Sequence, residues 1–102
     1  MNNPFVNLDK ILEHSARLHI MSVLAVNDSY DFISLRDLLQ VTDGSLATHI
    51  KALEKEQYIS VSKSFVERKP TTRYAVTDKG RIAFKNHIDA LDALVRMQKK
   101  HV

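Results

Sequence analysis

Ser45, Thr48, Lys51 and Lys55 recur at steps of three and four residues, so a helix here lines them along one side, with His49 at its flank. Hydroxyls of this kind bond either a phosphate oxygen or a base edge, and each lysine adds a mobile positive charge. A second basic group follows in Lys63, Arg68, Lys69 and Arg73, opposed between positions 63 and 73 by Glu67 alone. Together the two groups suit a polyanionic backbone with readable edges, as in a nucleic acid. No arginine stands on the outer side of the first group, so bidentate reading of guanine is not expected from it. Arg68 is the better candidate for a narrow minor groove.

The surrounding residues must hold these groups in place. Thr42 or Asp43 can cap a helix over about 43–56, with Gly44 allowing a sharp turn before it. Leu46, Ile50 and Leu53 give that helix one apolar stripe opposite the polar side. From Ile59 the period changes to two, with Ile59, Val61 and Phe65 expected inward and Ser60, Ser62 and Ser64 outward. The polar connection VERKPTT then leads to a second strand over Arg73–Val76, with Tyr74 and Val76 inward, which places a hairpin at about 59–76.

Upstream, Leu8–Glu13 has the spacing of a short first helix. Ser15 is expected to cap a second helix with Leu18, Met21, Val23, Leu24 and Val26 on its apolar positions. NDSYD ends that helix, Phe32 and Ile33 suit a brief strand, and Ser34 with Asp37 resembles a capping box opening a third helix through Leu35, Leu38 and Leu39. Thr77 and Asp78 start a last helix over about 78–99. Its apolar band, with Phe84, Ile88, Leu91 and Val95 in one line and Ala83, His87, Ala90, Leu94 and Met97 beside it, is wider than a small core requires. Phe84, Ile88, Leu91, Leu94 and Val95 are therefore expected at a homodimer interface, while another part of the helix folds back on Leu8–Leu12. The final RMQKKHV reads as a frayed basic tail.

Composition narrows the function class. A chain of 102 residues is one domain, spanning 1–102, with one core. Cysteine is absent, which removes disulfides and thiolate metal sites and fits a cytoplasmic setting. No apolar run approaches a bilayer span and the first ten residues do not read as a signal peptide, so no membrane partner is expected. Charge is segregated: residues 1–43 hold three Lys/Arg against six Asp/Glu, and residues 44–102 hold twelve against six. The five histidines do not converge in sequence, so no metal site and no cofactor are expected. With only Gly44 and Gly80 there is no glycine-rich phosphate loop, and no G-x-S-x-G is present, so an enzyme is not expected.

Two helices around a tight turn, followed by a strand hairpin, describe a winged helix-turn-helix: mainly α with a small β-hairpin (α+β), closed by a C-terminal dimerisation helix. The run LDKILEHSARLHIMSVLA, the segment TDGSLATHIKALEKEQYI and the segment SKSFVERKPTTRYAVTDKGRIAF together resemble the small MarR/ArsR-like winged-helix transcription regulators of bacteria and archaea. The resemblance covers roughly Leu8 to Leu91. It implies a homodimer acting on double-stranded DNA, with Ser45, Thr48, His49 and Lys51 facing the groove and Arg68, Lys69 and Arg73 as wing contacts. One position departs from the pattern: Gln57 stands where such domains usually carry Gly for a left-handed turn. Two other function classes compete, a winged helix that binds a protein partner and a sensor of a small molecule or metal whose DNA binding is secondary. The polar outer side of the fourth helix speaks against the first. The second needs a pocket by the last helix, and any effector is left unnamed.

Overall fold

The computed structural model describes residues 3 and 5–99. Within them the chain runs α1 (Ser15–Ala25), β1 (Tyr30–Asp31), α2 (Phe32–Leu39), α3 (Asp43–Lys55), β2 (Ile59–Val66), β3 (Lys69–Val76) and α4 (Asp78–Lys99). The outermost residues of the expected 1–102 domain, with Lys100, His101 and Val102 of the expected tail, lie outside the described residues. Arg96–Lys99 of that tail are not frayed but continue α4.

Leu8–Glu13 is a series of turns rather than a helix. The Asp9 carboxylate accepts from the backbone N–H of Ile11 at 2.8 Å, and Glu13 N–H bonds Asp9 O at 2.9 Å. The turn goes no further because His14 is extended, with φ −73° and ψ 122°. His14, not Ser15, then caps α1, its Nδ1 accepting from Ala16 N–H at 3.3 Å. On α1 the buried positions are Ile20, Met21 and Leu24, whereas Val26 lies past the helix end and is 81% exposed.

Two local expectations around α2 are corrected. Phe32 and Ile33 begin the helix, and the strand is the preceding Tyr30–Asp31. Asp31 replaces Ser34 as cap, its carboxylate accepting from Ser34 N–H at 3.0 Å. A carboxylate three residues ahead reaches the free N–H groups of the first turn, so Ser34 becomes the donor rather than the cap. The turn into α3 is made by Gln40, left-handed at φ 55° and ψ 47°, and not by Gly44, which lies inside α3 with nothing within 4 Å of a Cβ. Arg36 spans that turn to Asp43 at 3.0 Å.

Thr42 caps α3 as expected, accepting from Ser45 N–H at 3.1 Å. Leu46, Ile50 and Leu53 are buried against Ile20, Met21 and Leu24 of α1, Leu35 of α2 and Tyr74 of β3 in one core. After α3 the chain turns at Gln57, whose φ is 61°. The missing glycine has not changed the backbone conformation, so Gln57 bears the strain of a side chain there, about 1 kcal/mol.

The sheet is antiparallel in the order β1–β3–β2, so the hairpin gains a third strand at its root. β2 and β3 pair from Ile59↔Val76 to Val66↔Lys69, leaving a two-residue loop of Glu67 and Arg68 with φ of 51° and 68°. Two left-handed residues in a two-residue loop make the type I′ turn that matches strand twist. The second strand thus begins at Lys69 rather than Arg73, and Lys69 and Pro70 belong to it. Pro70 is tolerated because ladder bonds alternate: Val66↔Lys69 closes the turn, so Phe65↔Pro70 falls where no bond to β2 is required. β1 pairs only at Tyr30↔Tyr74 and Asp31↔Arg73, so it does not reach Pro70. Beyond Ile59 every residue of β2 is exposed. Val61, at 40%, and Phe65, at 76%, are therefore not inward, because the hairpin outruns the core that would cover them.

Thr77 caps α4, its Oγ accepting from Gly80 N–H at 2.9 Å and donating to Gln57 O at 2.6 Å. A Cβ on Gly80 would lie 2.0 Å from Tyr58 O, so glycine here permits backbone contact between α4 and the loop after α3. Further along, buried His87 accepts Asp9 N–H on Nδ1 at 2.9 Å, and Tyr58 donates its phenol to Asp9 at 2.5 Å. Burial, then the Asp9 carboxylate, push the Tyr58 phenol well above its usual range. α4 thus folds back on the N-terminal segment, as expected, through its Gly80, His87 and Ala90 side.

Candidate nucleic-acid interface

Packing of Leu46, Ile50 and Leu53 into the core turns the opposite side of α3 outward. Thr48, Lys51 and Lys55 are exposed there and Ser45 is half-buried at the N-terminus. Thr48 donates its hydroxyl hydrogen to Gly44 O at 2.9 Å, which leaves its oxygen lone pairs facing out as acceptors. Lys63 lies on β2, Arg68 in the turn and Lys69 at the start of β3, all exposed. Among the described residues, none of Lys51, Lys55, Lys63, Arg68 and Lys69 takes part in an ion pair. Elsewhere three cations are matched: Arg36 with Asp37 and Asp43, Lys85 with Asp89, and Arg96 with Asp92. Five cations outside any ion pair thus lie on α3 and the hairpin; among the described residues Lys10, Lys79, Arg81 and Lys99 are likewise outside any ion pair.

Two expected contacts are turned away from this surface. Arg73 donates from Nε to Ser29 Oγ at 2.8 Å and from its terminal nitrogen to Ser29 O at 3.3 Å, so it braces the root of the hairpin. His49 is half-buried, accepts from Arg17 Nε on Nδ1 at 3.3 Å, and lies against His14 with ring centroids 4.3 Å apart. Burial, then the nearby His14 and Arg17, lower its pKa below the usual imidazole value. Near neutral pH it is therefore an uncharged brace between α1 and α3. Arg17 was not singled out from sequence, and no local signal could have found it, since its partner lies 32 residues away.

On α4 the residues expected at an interface divide. Phe84, Leu91 and Leu94 are half-buried, whereas Ile88 and Val95 are exposed at 39% and 52%. An apolar strip along α4 stays uncovered in the single chain. Among the described residues no three His, Asp or Glu side chains converge to hold a metal, and no helix is long and apolar enough to cross a membrane.

Residues 16–95 match the family described as the winged helix DNA-binding domain. An uncharacterized protein of Methanocaldococcus jannaschii is 35% identical over 79 residues, which cover 78% of this chain and 86% of the relative. The structure of a transcriptional regulator homologue protein from Pyrococcus horikoshii OT3 superposes with a TM-score of 0.81 at 30% identity, covering 86% of this chain and 87% of that one. YusO of Bacillus subtilis shares the fold, with a TM-score of 0.74 at 15% identity over 86% of this chain and 62% of its own.

Proposed function

The chain belongs to the winged helix DNA-binding domain family of transcriptional regulators, and from that premise we propose that it binds specific double-stranded DNA as a homodimer in the cytoplasm. α3 enters the major groove with Ser45, Thr48, Lys51 and Lys55 toward it, and the hairpin lays Lys63, Arg68 and Lys69 on the flanking backbone or minor groove. Arg73 and His49 hold hairpin and helix in place behind these contacts. The observation that carries the reading is the set of five exposed cations with no acidic partner, on the two elements a groove and its flank would meet. A merely solvated surface would mix the signs, as α4 does. Phe84, Ile88, Leu91, Leu94 and Val95 pair α4 with a second copy, giving two recognition helices for a two-fold site.

Salt titration of duplex binding tests this. Log K should fall steeply with log salt, and Lys51→Ala or Arg68→Ala should each flatten the slope by about one unit, as one lost phosphate contact does. Affinity at low salt no better than that of a neutral domain of equal size rejects the reading. It also favours a protein partner on the same surface.

A further inference from the structure

The hairpin carries an apolar group that neither the core nor the charge argument uses. Phe65 is 76% exposed on β2, and its cross-strand neighbour is Pro70. Alternation puts Phe65 and Pro70 on the same side of the sheet as Ile59 and Tyr74. At the root that side is buried. At the tip it is open, because β1 pairs only as far as Tyr74 and Arg73, and the start of α2 meets β3 across a cleft that ends at Lys69 and Pro70 and leaves Phe65 uncovered. Burial in its own fold therefore gives no reason for a phenylalanine at position 65.

The surroundings favour one occupant. Phe65 stands two residues from Lys63 and close to Arg68 in the turn and Lys69 at the start of β3, all exposed and without ion pairs, with Glu67 the one acid nearby. An apolar protein surface would leave those cations desolvated and unmatched. Duplex DNA supplies phosphates for the cations and, where a base step opens, an apolar face for the ring. Phenylalanine and proline are among the side chains that wedge into base steps from the minor groove. Resting on the DNA reading above, we propose that the hairpin lies along the minor groove with Phe65, backed by Pro70, inserted at a base step beside the site. Unstacking is easiest at pyrimidine–purine steps, so the hairpin selects TA or CA/TG there without hydrogen-bonding a base. Phe65 thus supplies selectivity that the lysines and hydroxyls of α3 do not.

The test starts from a duplex selected from a random pool by the full chain, then resynthesised with 2-aminopurine at the flanking step. Binding should raise its fluorescence severalfold and enrich TA or CA/TG at that position. Phe65→Ala should abolish the rise, weaken binding about tenfold, as loss of one aromatic–base contact does, and erase the enrichment, while the salt slope stays unchanged. Phe65→Leu should retain part of both signals. An exposed residue leaves the melting midpoint unmoved, which separates this loss from unfolding. Binding by Phe65→Ala equal to wild type, or weaker binding with no fluorescence change in the wild-type complex, overturns the wedge and leaves the DNA reading intact. So does a Phe65→Ala defect confined to anionic vesicles or to self-association. Failure of the wild-type chain to select any duplex overturns the DNA reading itself.

Discussion

His49 shows how a side chain of the right type can serve a different purpose from its neighbours on one helix. Its ring is desolvated, His14 lies against it and Arg17 points at it, so the folded state favours the neutral form. A base whose folded pKa lies below its ordinary value of 6.5 leaves stability intact above that value. Stability then falls as pH drops through 6.5 toward the folded value, because the unfolded chain binds the proton first. The melting midpoint should therefore drop between about pH 7.5 and pH 5.5, and His49→Gln should lose part of that drop. Identical pH profiles for the two proteins would remove His49 from the account. Gln57 makes a different point: sequence placed a left-handed turn there without its usual glycine, and the backbone takes that turn at φ 61°.

At the scale of elements, the two glycines have opposite meanings. Gly44 sits in the first turn of α3 with open space where a Cβ would go, while Gly80 holds α4 against the Tyr58 carbonyl. Gly80→Ala should cost about 3 kcal/mol in a urea melt, since a rigid backbone atom cannot yield to the new methyl. Gly44→Ala should be neutral or stabilising by up to about 1 kcal/mol. Equal effects would mean that α4 is not seated as described. The turn between α2 and α3 shows why the roles could not be told apart in sequence. Gly44 looked like the residue of the turn, yet Gln40 makes it, because the cap at Thr42 had already started α3.

The whole molecule is elongated, 57 × 25 × 21 Å, with hairpin and α4 reaching beyond the helical core. A helix of 22 residues is about 33 Å long, more than one small core can cover. Ile88 and Val95 on its open side are the residues a second copy would bury. Val95→Lys changes a residue outside the core, so the fold should persist while the sedimenting mass halves. An unchanged mass rejects α4 pairing. Charge is uneven along the molecule, with the hairpin net basic and the first 43 residues holding six acids against three basic residues.

What the sequence determined by itself is periodic or local. The stripe of Leu46, Ile50 and Leu53, a cap at Thr42 or Asp43, the start of the last helix at Thr77 and Asp78, and the change of period at Ile59 all act within a few residues and were legible there. The Ser34 cap misled because Asp31, equally local, caps the helix three residues earlier, and Leu8–Glu13 stops after one turn because His14 is extended. Tertiary structure decided which members of each pattern are covered. Alternation could say that Phe65 and Tyr74 share a side, but not that the core ends between them. The basic residues were visible as a group, yet only long-range contacts show that Arg73 is held by Ser29 and His49 by Arg17, while the cations beside them stay unpaired. A side chain's preference travels with the chain, whereas its exposure depends on which distant segments reach it.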